Sequence, residues 1–441
     1  MPKARFRRTR RQLTSSRVWR TRLVFWLGAV LVGLAATALA IGSDHAGHIF
    51  SQILETSPYI PVVLTPVGLV LITWITRRFV PAAKGSGIPQ VIAALQMKHD
   101  SDKRKILSLR IAISKGLLVM LGILSGASIG REGPTVHIAA AIAYAVSRFA
   151  RFPLHDIGRG LIIAGSAAGL AAAFNTPLAG IVFVIEEVRR SYEKNTSGTI
   201  LTAVIIAGMT ALAIQGNYNY FGTVTAKLEL SQAIGPVIVC GIIGGLAGGL
   251  FGAILLNGAR RLAGFRNARP YALAGICGFS LAAIGLASGG LTYGTGYEEA
   301  QHLINGGESN GFSYALMKLS ATIISYWSGI PGGIFAPSLS VGAGLGAGIA
   351  EWFPTVPAAA IVLLGMAAYF TGVVQTPITA VVIIMEMTAD PGLLLPLMAT
   401  ALIAEGISKL INPHSIYRYL AMDFMKGLHR EKFHEDPGKL K

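Results

Sequence analysis

The sequence predicts an all-α protein that crosses a membrane several times. Only 13% of its 441 residues are charged, whereas about 25% is usual in soluble domains. The chain also contains long apolar segments that approach or reach the ~20 residues needed to span a bilayer. These segments are residues 23–41, 62–75, 237–256 and 361–385. Because they are continuously apolar rather than alternating, they predict helices and argue against a transmembrane β-barrel.

Positive charge is concentrated at the two ends of the chain and between the apolar segments. The net charge is +17, and residues 1–22 hold nine Lys and Arg and no acid. Further basic clusters occupy residues 98–110, 189–194, 260–269 and 426–441. This positive-inside pattern predicts that both termini are cytoplasmic and disfavours a nucleic-acid partner. We expect a basic segment, a transmembrane domain and a short cytoplasmic tail at residues 1–20, 21–424 and 425–441.

The transmembrane domain repeats itself. Residues 161–187 align without gaps with residues 361–387, and seven of the 27 pairs are identical. The identities include a Thr-Pro step and Glu186, which matches Glu386. We interpret this as a duplication with halves at about 59–215 and 231–411, in parallel or inverted orientation. Gly/Pro-interrupted apolar segments at matching positions predict broken, tilted helices around a transport site near the bilayer midplane.

Three Gly/Pro-rich loops interrupt the apolar pattern. They read GSGIP at 85–89, GREGP at 130–134 and GGIFAP at 332–337. We expect each loop to begin a helix whose free N–H groups point into a shared cavity. Converging helix N-termini attract an anion without a full positive charge, and Ser86 adds a hydroxyl donor. One such loop would be explained by a proline kink, but three of them favour anion binding.

Glu132 is an isolated acid inside an apolar region. No other acid lies between Asp102 and Asp156. An ionisable group at membrane depth is costly, so it indicates function by default. Pro134 suits the first turn of a helix, which would place the carboxylate where anions bind best. The hypothesis is that charged Glu132 occupies an anion site and that protonated Glu132 leaves it.

The three loop motifs, in this order, resemble the signature of the CLC chloride channels and chloride/proton exchangers. The similarity extends over nearly the whole chain and includes Ser415-Ile-Tyr417. It implies an all-helical CLC-type fold of two inverted-repeat halves. It also implies a homodimer in which each subunit has its own pathway.

The resemblance assigns roles to individual residues. It implies that Ser86 and Tyr417 donate hydroxyls to a central chloride, together with the N–H groups of Ile334 and Phe335. Glu132 becomes the external gate and proton acceptor. Glu187 becomes the internal proton acceptor, and Arg131 shapes the potential at the outer mouth.

Two of these assignments have alternatives in the sequence itself. Glu187 precedes Arg189 and Arg190, so it could be a helix-end acid paired with them. An acid at position 187 favours the antiporter, because channels of the family commonly lack one there. Tyr417 could instead be an aromatic anchor at the membrane interface, a role that Tyr419 fits equally well.

The function expected from the sequence is chloride transport coupled to proton antiport. The alternative is a passive chloride channel, gated by voltage or pH, on the same fold. Ser86 favours chloride over nitrate in this family. An enzyme is disfavoured because no nucleophile motif accompanies His137, and no metal spacing occurs around Cys240 and Cys277.

No cofactor is expected besides the transported chloride and protons. The His45 and His48 pair is expected in a solvated loop rather than at a metal. The partners expected are membrane lipids and a second copy of the chain. The expected location is the inner membrane of a bacterium, with several membrane passes.

Overall fold

The protein is helical along almost all of the chain that the structure describes. The computed structural model describes residues 16–97, 99–149, 157–189, 197–216, 219–224, 228, 230–307, 310–390 and 392–435. Within these ranges the only β-type pairings are two isolated bridges between loops. The predicted all-α class is therefore confirmed.

The first half of the chain forms nine helices, in this order: α1 (Ser16–Thr56), α2 (Pro61–Phe79), α3 (Ile88–Gln96), α4 (Asp100–Ile106), α5 (Leu109–Leu124), α6 (Glu132–Phe149), α7 (Ile157–Phe174), α8 (Pro177–Phe183) and α9 (Ser197–Gln215). A π-helical turn, Val184–Arg189, continues α8. The second half contains α10 (Leu230–Arg261), α11 (Ala263–Ala268), α12 (Pro270–Ala287), α13 (Tyr297–Ile304), α14 (Gly311–Ser328), α15 (Phe335–Ala350), α16 (Ala358–Val374), α17 (Pro377–Thr388), α18 (Leu394–Ile411) and α19 (Ile416–Glu435).

Long and short apolar helices are mixed in this fold. Among the described residues, six helical segments are long and apolar enough to cross a membrane. Other apolar helices, such as α15, α16 and α17, have only 10–17 residues in their apolar parts. These are shorter than the ~20 residues that a straight crossing needs. The predicted combination of full spans and broken helices is therefore present. The protein is an integral, multi-pass membrane protein.

The two halves use the same packing scheme. In the first half α1 packs against α9 and α7, and α6 packs against α7. In the second half α10 packs against α18 and α16, and α15 packs against α16. By this correspondence α1 is the counterpart of α10. Helix α1 precedes the predicted half at about 59–215 and packs with it in the way that α10 packs with the second half.

The aligned acids of the repeat exchange contacts across the interface between the halves. The Glu186 carboxylate accepts the N–H groups of Ile378 and Thr379 at 3.2 and 2.8 Å. The Glu386 carboxylate accepts those of Leu178 and Ala179 at 3.0 and 2.7 Å. Each acid thus caps the first turn of the equivalent helix in the other half, where a negative charge is favourable. The reciprocity makes α8 and α17 antiparallel neighbours, as inverted halves require.

Glycines let the central helices of the second half approach closely. A Cβ at Gly346 of α15 would lie 2.5 Å from the Cα of Val362, and one at Gly342 would lie 2.6 Å from that of Met366. On the facing helix α16, a Cβ at Gly365 would lie 2.6 Å from the Cα of Gly346. Such small-residue crossings are the usual way in which membrane helices gain van der Waals contact.

One sequence expectation differs from the structure, and two predicted segment boundaries fall within helices. His45 and His48 are exposed residues within α1 rather than in a loop, because this helix continues unbroken to Thr56. The predicted N-terminal segment includes residues 16–20, which already belong to α1, and residues 1–15 lie outside the described chain. The predicted tail from residue 425 is helical as far as Glu435, because α19 continues past the boundary, and residues 436–441 are not described.

The exchanged caps predict a loss of stability on both sides. Glu186→Gln and Glu386→Gln each replace a carboxylate that accepts two backbone N–H groups, so each should destabilise by about 1–2 kcal/mol. The loss should be larger for Glu186→Gln, because Glu186 also accepts the Thr379 hydroxyl at 2.6 Å. Thermal unfolding of the purified protein in detergent measures this. The control is Glu405→Gln, which removes an i,i+4 pair with Lys409 and should cost no more than about 0.5 kcal/mol. Losses no larger than that of the control would contradict the capping role.

Candidate functional site

The three Gly/Pro-rich loops meet at one place and are bonded to one another. The N–H of Gly130 donates to the carbonyl of Gly333 at 2.7 Å, and the N–H of Gly333 returns the bond at 2.7 Å. The N–H of Gly85 donates to Ile330 and the N–H of Gly332 donates to the carbonyl of Gly85, both at 3.4 Å. The predicted convergence of the loops is therefore confirmed, and it joins both halves of the repeat.

Glycine is required at two points of this contact. Gly87, which precedes α3, has φ = 109°, a conformation that disfavours other residues. A Cβ there would also lie 2.7 Å from the Cβ of His137. A Cβ at Gly130 would collide with the Glu132 carboxylate. The loops can approach the start of α6 only because these side chains are missing.

Glu132 is the first residue of α6, and its side chain is completely buried. Its Oε2 accepts the N–H of Ala336, the second residue of α15, at 3.3 Å. Its Oε1 is buried without a hydrogen-bond partner among the described residues. The carboxylate therefore lies between the N-termini of two helices that belong to different halves. Both helix dipoles favour negative charge at this position.

Two buried hydroxyl groups complete the surroundings of this position. The Ser86 Oγ and the Tyr417 hydroxyl have no hydrogen-bond partner within the described chain, although both residues are almost fully buried. Ser86 lies in the loop before α3, and α3 packs against α19, the helix that carries Tyr417. Ser86 also abuts the first turn of α6, where a Cβ on Gly133 would collide with its Oγ. Leaving a buried hydroxyl unsatisfied costs about 1–3 kcal/mol, so the pair favours a polar ligand.

The start of α15 provides backbone donors near the same place. Phe335 is its first residue, so the Phe335 N–H has no acceptor within the helix, and Ile334 precedes it as the N-cap. Both residues are buried. The Phe335 ring packs on Phe370 at 4.3 Å and on Phe174 at 5.4 Å between ring centroids. This aromatic packing holds the first turn of α15 in place.

Arg131 lies on one side of the site, in a cavity of 360 Å³ that it lines together with Asp44 and Tyr297. Its guanidinium donates to the Asp44 carboxylate at 2.5 Å and to the carbonyl of Ala40 at 2.6 Å. We call this cavity the Arg131 mouth. The ion pair with α1 offsets part of the positive charge that the sequence alone assigns to this mouth.

A larger cavity of 910 Å³ opens on the other side and is lined by Ser86. Four cations line it, namely Lys84, Arg260, Arg266 and Lys426, together with one acid, Asp423. We call it the basic mouth. Lys84 precedes the first loop, outside the long membrane-spanning helices. Burial, with the positive charges of Arg266 and Arg77, lowers the pKa of Lys84 to about 7.

Glu187 belongs to the π-helical turn that continues α8, and it is 5% exposed. Its Oε1 accepts the hydroxyl of Ser415 at 2.9 Å. Ser415 lies two residues before Tyr417, so Glu187 is connected to the helix that carries the Tyr417 hydroxyl. The alternative pairing with Arg189 and Arg190 falls on an undescribed side chain and an undescribed residue.

Sequence reasoning missed two contributors to this region. Lys115 of α5 is fully buried, and its ammonium donates to the carbonyl of Gly85 at 3.2 Å. A lone cation within the apolar residues 111–124 was the available signal. Ser415 was noted only as part of a motif, because its contact with Glu187 spans 228 positions of the chain.

Solved structures of known transporters share this architecture. A slow cyanobacterial Cl⁻/H⁺ antiporter aligns with a TM-score of 0.78 and 26% identity, covering 91% of this chain and 98% of that one. A CLC-type fluoride/proton antiporter aligns with a TM-score of 0.77 over 92% of this chain and 98% of that one. At 24% identity the second likeness supports the fold alone.

Sequence comparisons agree with the structural ones. The family described as voltage gated chloride channel matches residues 68–409. The H⁺/Cl⁻ exchange transporter ClcA of Vibrio cholerae serotype O1 is 32% identical, covering 90% of this chain and 89% of that protein. ClcA of Cronobacter sakazakii is 31% identical, with 89% and 87% covered. The family match covers most of the chain and includes all three Gly/Pro-rich loops. The protein therefore belongs to the voltage-gated chloride channel family, the CLC family.

Proposed function

We propose that the protein exchanges chloride for protons across a membrane, with Glu132 as a side-chain gate. The observation that carries this proposal is the surroundings of Glu132. Its carboxylate lies between two helix N-termini, close to loops whose buried Ser86 and Tyr417 hydroxyls lack partners in the described chain. The names of the relatives, which are H⁺/Cl⁻ exchange transporters, support the same function.

Chloride binds in this proposal where hydroxyl and N–H donors surround a buried position. Ser86 and Tyr417 donate their hydroxyls, and Ile334 and Phe335 donate backbone N–H groups. No full positive charge is needed, which lets the ion leave again. The basic mouth increases the local concentration of chloride on its side through the cations that line it.

Protons enter the cycle through Glu132. While ionised, its carboxylate competes with chloride for the same helix N-termini. Chloride nearby adds a like charge and favours protonation, which neutralises Glu132 and lets it leave. Binding of the two ions is therefore linked, and exchange requires at least this linkage. Arg131 adjusts the potential of its mouth within its ion pair with Asp44.

Glu187 is the proposed proton acceptor on the other side. It is buried, its Oε1 accepts one hydroxyl hydrogen bond, and it lies outside the group of loops around Glu132. An acid at this position distinguishes the antiporter from the second candidate, a passive chloride channel on the same fold. The adjacent acid, Glu186, is engaged in capping α17 and is not assigned a transport role.

Location and assembly complete the proposal. In this proposal the basic mouth and both termini face the cytoplasm of a bacterial cell, and the domain lies in the inner membrane. The basic clusters in the sequence support this orientation. The protein is a homodimer in contact with lipid. Each subunit has its own pathway, because the loops, hydroxyls and acids described above all come from one chain. The protein acts as a transporter and not as an enzyme, and it needs no cofactor.

Proteoliposomes test the coupling directly. An imposed chloride gradient is expected to drive protons in the opposite direction, against their own gradient. The movement should stop when chloride is replaced by an impermeant anion. Chloride flux without proton movement would establish the passive channel instead.

Glu132→Ala removes the gate and should abolish proton movement while chloride flux persists. The reason is that the carboxylate between the helix N-termini is lost, whereas the proposed donors to chloride remain. Proton and chloride fluxes are measured in the same vesicles. Glu298→Gln, an acid outside the loops, serves as the control. Proton coupling that survived in Glu132→Ala would refute the gating role.

Glu187→Gln should lower the proton flux by about a hundredfold while chloride flux changes little, because only the internal proton acceptor is lost. The measurement is the ratio of the proton flux to the chloride flux at one gradient. Glu186→Gln is the matched control, since it removes the neighbouring acid from a capping position. If both variants kept the wild-type ratio, Glu187 would be a structural acid.

Lys84 should make chloride entry from the basic mouth depend on pH. With a pKa of about 7, it is charged at pH 6 and largely neutral at pH 8. In a Glu132→Ala, Glu187→Gln background we expect the apparent chloride affinity to fall roughly two- to fivefold over this range. Lys84→Arg should keep the high chloride affinity across this pH range, and Lys84→Gln should show the low chloride affinity throughout.

The control for Lys84 is Arg110→Gln, which removes an exposed cation of α5 that does not line the mouth. This variant should keep the wild-type pH dependence. An affinity that varied with pH equally in Lys84→Arg would exclude Lys84 as the titrating group.

A further inference from the structure

We propose that Ser415 is a positioning residue for the internal proton acceptor. Its hydroxyl orients the Glu187 carboxylate and connects it to the first turn of the helix that carries Tyr417. This inference rests on the proposed function, because it assumes that Glu187 exchanges protons.

The first argument is the geometry of the Ser415 hydroxyl. Ser415 is 1% exposed and precedes α19, whose first residue is Ile416. Its Oγ accepts the N–H of Arg418 at 3.4 Å, the usual capping contact at a helix start. The same Oγ donates to the Glu187 Oε1 at 2.9 Å. Since a hydroxyl has a single proton and the cap uses a lone pair, the proton is directed at the carboxylate.

The second argument is the position of Glu187 within its own half. The π-helical turn Val184–Arg189 widens the backbone where Glu186 and Glu187 occur, and such turns are frequent at functional sites. Glu186 turns to the N-terminus of α17, while Glu187 turns to Ser415. The matching position in the other half is Met387, in an uninterrupted α-helix. The Ser415 contact therefore involves an acid that the second half lacks at the matching position.

The helices that pack against this turn are largely apolar. Helices α3, α7 and α8 pack against the π-helical turn. Within these helices α3 and α8 contain no ionisable residue, and α7 contains only Arg159 near its start, which is exposed. Helix α19 contributes Tyr417, which is near enough to sense the Glu187 charge, and Arg418. Ser415 thus donates a hydroxyl hydrogen bond to Glu187 beside helices that are mostly apolar.

The chemical consequence concerns the two protonation states of Glu187. A hydroxyl donor stabilises the ionised carboxylate more than the neutral acid. Removing the donor should make Glu187 hold its proton more tightly. In the wild type, proton uptake at Glu187 weakens the bond to Ser415, two residues from Tyr417. Proton binding at Glu187 and chloride binding beside Tyr417 are thereby both connected to the start of α19.

The test uses the full-length protein in oriented proteoliposomes. Proton flux is measured as the pH on the side of the basic mouth is varied, with chloride saturating. For Ser415→Ala we expect the pH of half-maximal proton flux to rise by about one unit, in line with the loss of one hydrogen bond to a charged group. Ser415→Thr keeps a hydroxyl and should restore the wild-type midpoint.

Two further variants separate this effect from loss of a helix cap or of the proposed function. Ser108→Ala removes a comparable cap at the start of α5, with Oγ 3.3 Å from the N–H of Ile111, and has no carboxylate to position. It should leave the midpoint unchanged. Ser415→Ala added to Glu187→Gln should cause no further change in proton flux, because the group that Ser415 orients is already gone.

The outcomes separate the role of Ser415 from the proposed chloride/proton exchange. If wild type couples protons, Glu187→Gln abolishes coupling and Ser415→Ala keeps the wild-type midpoint, the role of Ser415 is refuted and the proposed function stands. A shift of the same size in Ser108→Ala would also refute it, as a general effect of helix capping. Absence of proton coupling in the wild type would overturn the proposed function and this inference together.

Discussion

The pair of backbone hydrogen bonds between Gly130 and Gly333 is the constraint on which the rest of the site depends. It joins a loop of the first half to a loop of the second half, so it exists only when both halves are folded and inverted on each other. The bonds bring the N-termini of α6 and α15 together around the Glu132 carboxylate. Without this contact the helix ends would be separate, and neither alone would hold a carboxylate or an anion at a buried position.

The two inverted halves share their capping acids but differ at the next residue. Glu186 and Glu386 still make the same exchanged caps, each on the other half's helix. One residue further, the symmetry ends, because Glu187 has Met387 as its counterpart. The π-helical turn occurs in the first half alone among the described residues. Acids that support the fold are therefore shared by both halves, whereas the two acids proposed for transport, Glu132 and Glu187, belong to the first half.

Local patterns in the sequence predicted the parts of the site that depend on local structure. The three loops and the helix starts after them follow from Gly and Pro at fixed spacings. Contacts between distant segments were not predictable in this way. The pairing of Arg131 with Asp44 needs α1 beside α6, and the bond from Ser415 to Glu187 needs α19 beside the end of α8. Neither of these two contacts follows from the periodicity of the sequence.

The glycine crossing of α15 and α16 limits how this protein can work. Gly342 and Gly346 leave no gap against Val362 and Met366, so α15 has no room to slide or tilt on its neighbour. The helix that presents Phe335 to the site therefore stays fixed on its partner. Movement of α15 against the rest of its own half is therefore disfavoured as the step that exposes the site. The proposed gate, a single carboxylate side chain, could move while the backbone of α15 stays in place.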